Sequence, residues 1–110
     1  METEPSVFAR AWKAGVKIAY GTDIGGYSWD RPEAMDFEYL VRYGMSTAQA
    51  IQTATVTAAQ LMGLENKIGE LKAGAFADII ALRENPLNRI TSLQHISWVM
   101  KDGIVYKSEK

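Results

Sequence analysis

The chain has 110 residues, 47% of them hydrophobic and 23% charged, with a formal net charge of −1. That length suits about one small domain with a single core. Nothing supplies the basic stripe that phosphates require, and no apolar run approaches the ~20 residues of a membrane span, so neither nucleic acid nor membrane is an expected partner.

The N-terminus, Met1-Glu2-Thr3-Glu4-Pro5, is acidic and polar, unlike a signal peptide, and the expected location is cytoplasmic. Ser6 to Ala14 reads as a helix. Ser6 can cap it, Val7, Phe8, Ala11 and Trp12 fall on one face, and Gly15 stops it. Val16 to Gly21 follows at once as an apolar segment, predicted to be a buried strand. A helix, a short turn and a buried strand make half of a parallel βαβ unit. That strand runs into Thr22-Asp23-Ile24-Gly25-Gly26 and then the aromatic stretch Tyr27-Ser28-Trp29.

Asp30-Arg31-Pro32-Glu33 has the spacing of a capping box, with proline tolerated in the first turn. It predicts a helix whose buried stripe is Phe37, Leu40 and Val41 and whose end is Gly44. Ser46-Thr47-Ala48-Gln49 repeats the box and opens a helix carrying Ala50, Ile51 and Ala54. Thr55 or Thr57 is expected to cap a last short helix through Ala58, Leu61 and Met62, ending at Gly63. The five methionines read as core filling.

The pattern changes near Glu65. Ile68, Leu71 and Phe76 alternate with Gly69 and Gly74, and Ile79-Ile80-Ala81-Leu82 reads as a short buried strand that Asp78 introduces as a turn residue. Ile96–Lys101 and Ile104–Lys107 flank Asp102-Gly103. An Asp-Gly pair between apolar segments is the strongest short-range hairpin signal, because both turn residues need φ > 0. Residues 1–64 therefore read as α/β and residues 65–110 as all-β, with a boundary near 64–67. One parallel strand makes no sheet, and Val16–Gly21 is too apolar for an edge. The expectation is a piece of something larger.

Asp23 admits two readings: a carboxylate that shapes a turn, or one that ends a buried strand because a site needs a hard oxygen ligand or a base. A self-contained zinc site takes about three protein ligands, mostly histidine. This chain has one histidine, His95, and no cysteine. His95 itself reads as structural or solvated.

The segments AGVKIAYGTDIGG, FEYLVRYGMSTAQAIQTATVTAAQLMGL, IGELKAGAFADIIAL and VMKDGIVY, in that order and spacing, resemble the C-terminal end of the metal-dependent amidohydrolase superfamily. The imidazolonepropionase-like and prolidase-like branch is the nearest in pattern. The resemblance implies a (β/α)8 TIM barrel with a small β-sandwich assembled from both ends of the chain. Val16–Gly21 would be the eighth barrel strand, and Gly69–Leu82 and Trp98–Tyr106 would be sandwich strands. Residues 1–64 would then be the end of the barrel and residues 65–110 the C-terminal part of the sandwich.

By the same resemblance Asp23 would bind a divalent metal, usually zinc, and take the proton from the attacking water. The remaining ligands, a His-x-His pair, a lysine or glutamate and two further histidines, belong to segments absent here. The complete enzyme would hydrolyse C–N bonds of small-molecule amides, cyclic amides or dipeptides. Thr22, Gly25, Gly26, Tyr27 and Trp29 are the candidate pocket residues. Glycines let backbone approach a substrate closely, and the aromatic pair could wall an apolar pocket. The isolated chain is expected to bind no metal by itself and to be inactive. The alternative is a non-catalytic binding or assembly module that forms a homo-oligomer or docks on a partner.

Overall fold

The computed structural model describes residues 4–23, 30 and 33–110. Its elements run in the order α1 (Glu4–Lys13), a 3-10 turn (Glu33–Met35), α2 (Asp36–Arg42), α3 (Thr47–Thr53), α4 (Val56–Met62), β1 (Ile79–Leu82), a second 3-10 helix (Ile90–Gln94), β2 (Ile96–Lys101) and β3 (Ile104–Ser108). The three strands form one antiparallel sheet in the order β1-β2-β3.

Local chemistry accounts for most boundaries. The Ser46 hydroxyl accepts from the Gln49 N–H at 3.1 Å, and the Ser46 N–H donates to Gln49 Oε1 at 2.9 Å, so the capping box that opens α3 is complete. Gly63 ends α4 in the left-handed region, at φ 71°. Asp102 and Gly103 both have positive φ, 49° and 79°, as a two-residue hairpin turn joining β2 to β3 requires. Asp78, just before β1, reaches across to that turn: its Oδ1 accepts from the Asp102 N–H at 2.8 Å.

The core is small and joins both halves of the sequence. Phe37 from α2, Met45, Ala50 from α3, and Ile90 and Leu93 from the second 3-10 helix are buried together. Phe8, Trp12, Ile18, Tyr20, Leu40 and Leu82 pack around them, half-buried. The 3-10 helix is a departure from the all-β expectation for residues 65–110. Its Ile90 and Leu93 are buried one turn apart on the same side, a spacing too brief to register as helical periodicity.

Val16–Gly21 also differs from expectation, since it carries no strand ladder. A strand is defined by its partners, and all three strands of the sheet lie at residues 79–108. The alternation itself survives. Ile18 and Tyr20 pack on the helical core, while Lys17 and Ala19 line a separate cleft with Thr57, Gln60 and Leu61.

Of the expected strand Gly69–Leu82 only Ile79–Leu82 is one. Left-handed residues at Asn66, Gly69 and Gly74 turn the preceding chain instead, and the Phe76 N–H donates to Lys67 O at 2.8 Å to close that excursion.

Helix details differ as well. The Asp30–Glu33 box does not cap α2, which is entered through the 3-10 turn with Met35 at its N-cap and no side-chain cap. Thr55 occupies the α4 N-cap without capping it, because its hydroxyl donates backward to Ile51 O at 2.9 Å. The buried residue of α4 is Ala59, and Leu61 and Met62 point to solvent at 78% and 65% exposure. Met45 is buried as core filling, so the methionines divide between core and surface. On α1, Phe8 and Trp12 pack inward while Val7 is exposed.

Candidate functional site

Tyr20 sets the approach to the site. Its N–H donates to Thr53 O at 2.9 Å, at the C-terminal end of α3. Its ring lies 4.8 Å from that of Phe37, tilted by 53°. Its hydroxyl donates to the backbone carbonyl of Glu33 at 2.8 Å. Three residues further on, Asp23 is exposed, with φ at 49°. A non-glycine residue in the left-handed region is uncommon, and aspartate is among the few that tolerate it. Asp23 thus holds a left-handed backbone three residues beyond the anchored Tyr20.

The residues that lead to Asp23 line a cleft of about 450 Å³, which Tyr20, Gly21 and Thr22 share with Leu93, Gln94 and Lys107. Among the described residues, none other than its chain neighbours has an atom within 4 Å of where a Gly21 side chain would begin. Of the pocket residues read from the sequence, Thr22 lines this cleft, whereas Gly25, Gly26, Tyr27 and Trp29 lie outside the described residues. Asp23 is adjacent in sequence to the lining residues and is not one of them. Glu33, Gln94 and Lys107 bring polar groups to the cleft that the sequence reading did not single out. No spacing rule finds them, because they come from three separate elements. His95 is exposed and lines a different cleft, of about 370 Å³, with Arg83, Glu84, Lys107 and Glu109.

Among the described residues no group of three or more His, Cys, Asp or Glu is arranged to hold a metal ion. Asp23 offers one exposed carboxylate. That donor set does not make a metal site, although a hard oxygen donor suits one position of a shared one. No described helix is long and apolar enough to cross a membrane.

Residues 4–106 match the sequence profile of the amidohydrolase family, and the chain belongs to that family. It is 40% identical over 104 residues to ochratoxinase of Aspergillus niger, covering 88% of this chain and 21% of that protein. It is 36% identical over 97 residues to imidazolonepropionase of Rubrobacter xylanophilus, covering 83% of this chain and 23% of the relative. Among solved structures, a Xaa-Pro dipeptidase with bound methionine in its active site superposes with a TM-score of 0.88 at 38% identity, covering 94% of this chain and 25% of the other. The chain therefore spans about a fifth to a quarter of the length of the relatives it matches.

Proposed function

We propose that this chain is the C-terminal portion of a metal-dependent amidohydrolase that cleaves C–N bonds of small amides, cyclic amides or dipeptides. In this reading residues 1–64 end a (β/α)8 barrel and residues 65–110 contribute strands to a β-sandwich. Val16–Gly21 is the eighth barrel strand, with Asp23 just beyond its C-terminal end, the end at which such barrels carry their catalytic groups. The observation that carries the reading is the exposed, left-handed Asp23 three residues beyond a Tyr20 fixed to α2 and α3, beside an open cleft.

A divalent metal, zinc by family habit, would supply an activated water by lowering its pKa toward neutrality. Asp23 would be one oxygen ligand, and its carboxylate would accept the proton of that water and return it to the leaving amine. Thr22, with Gly25, Gly26, Tyr27 and Trp29, would line the substrate pocket. The other ligands would come from the three quarters of the relatives' length that this chain does not span. The complete enzyme would act in the cytoplasm.

The test is a graft. Residues 4–106 replace the matching segment of A. niger ochratoxinase, and hydrolysis is followed with and without Asp23→Asn. Hydrolysis by the graft that falls at least 100-fold in Asp23→Asn supports the reading, and full activity in that variant overturns it.

A second reading, an assembly module without catalysis, draws on the exposed apolar side chains Leu61, Met62 and Leu71, which a second copy or a docked partner would cover. The reading frame upstream of Met1 separates the two. An in-frame extension of about 250–300 residues carrying a His-x-His pair fits the barrel size range and favours the enzyme. A stop codon and ribosome-binding site just before Met1 favour the module.

A further inference from the structure

Tyr20 makes more attachments than its place in an apolar segment requires. Its backbone is bonded to Thr53 O at the end of α3, its ring packs on Phe37 of α2, and its hydroxyl holds the carbonyl of Glu33. Thr53, the anchor on α3, is buried, and its own hydroxyl donates to Ala50 O at 2.6 Å. The chain leaves this point at Gly21 and is back beside it at Glu33, so one phenolic hydroxyl ties together the two ends of a connection more than ten residues long. Asp23 is the third residue along that connection.

Ring packing and burial would be served equally well by phenylalanine. The hydroxyl donates to the carbonyl of Glu33, a tie that phenylalanine cannot make, and that tie limits where the chain from Gly21 to Asp23 can go. Holding a reacting group within a fraction of an ångström of its productive place commonly falls to residues that never touch the substrate. We infer that Tyr20 is a positioning residue for Asp23, acting through its hydroxyl to Glu33. The functional weight of this inference rests on Asp23 having the role proposed above, while the tether itself can be measured without it.

The tether is tested on the 110-residue chain by backbone ¹⁵N relaxation of the wild type and Tyr20→Phe. The expected result is that Gly21–Asp23 in the wild type have order parameters near the rigid value of about 0.85, and that Tyr20→Phe lowers them to about 0.6 or below. Residues 47–53 of α3 should keep theirs. Unchanged values at Gly21–Asp23, or an equal fall in α3, overturn the inference, since the first means no tether and the second a merely structural residue. In the ochratoxinase graft, Tyr20→Phe is expected to lower kcat about tenfold with KM unchanged. A wild-type kcat there, in a graft that Asp23→Asn inactivates, overturns the inference and leaves the Asp23 reading standing. Full activity in Asp23→Asn overturns that reading and is distinguished from the tether by the relaxation data.

Discussion

Two glycines show how single residues set the local path of this chain. At Gly69, φ is +81°, and a Cβ built there would lie 2.6 Å from the carbonyl oxygen of Thr55. The chain after α4 therefore presses its backbone directly onto the junction between α3 and α4, an approach only glycine allows. Gly69→Ala is expected to cost more than about 1 kcal/mol, through both the left-handed backbone and the clash, read as a lowered midpoint in urea unfolding. At Gly103 there is open space around the position and the constraint is φ alone. Gly103→Val should cost about 1–2 kcal/mol, the penalty for a side chain in the left-handed region. Ser46→Ala should remove about 1 kcal/mol by undoing the reciprocal cap of α3. A Ser46→Ala midpoint equal to wild type would mean that the cap contributes nothing here.

At the scale of elements, spacing rules located each of the four α-helices, missed the 3-10 helix at Ile90–Gln94, and misassigned faces where the neighbour was not adjacent in sequence. The stripe on α2 is as the spacing implies, with Phe37 buried and Leu40 and Val41 packed beside it. On α4 the large apolar residues Leu61 and Met62 are exposed, and the small Ala59 is buried. Periodicity places residues on one side of a helix but does not say which side meets a neighbour. The double variant Leu61→Ser, Met62→Gln is expected to change the stability of the 110-residue chain by less than about 0.5 kcal/mol, because both side chains already face water. A loss of stability beyond that range would mean that these residues are covered within the chain itself. The corresponding test of the buried side is Ala59→Leu, for which overpacking should cost about 1–3 kcal/mol.

For the whole molecule, exposure exceeds what its size predicts. The accessible surface is 7882 Å², against ~6,000 Å² for a compact monomer of this size. The radius of gyration is 14.9 Å, against ~13 Å for a compact domain. Among the described residues no large side chain is fully buried, and the buried core is limited to a few residues around Phe37, Ala50 and Leu93. The excess surface includes Val16, at the start of the apolar segment that leads to Asp23. These proportions agree with a chain spanning a quarter or less of the relatives' length. The chain alone, assayed with added zinc, is expected to hydrolyse small amides no faster than background. Turnover that Asp23→Ala removes would contradict this and would require a metal site built by these 110 residues.

What the sequence determined by itself is what short-range chemistry controls. The Ser46–Gln49 cap, the glycine stop at Gly63 and the Asp102-Gly103 turn all follow from the backbone preferences of a few neighbouring residues. The family is legible for a related reason, since its pattern is carried by ordered segments along one chain. The tertiary structure alone decided which apolar residues meet. The 3-10 helix at Ile90–Gln94 completes the core of α2 and α3, Val16–Gly21 lacks a ladder, and Tyr20 is tied to Glu33. Each depends on groups far apart in sequence being brought within a few ångströms, where a strand needs a partner and a hydrogen bond needs an acceptor, and no local preference encodes who that neighbour will be.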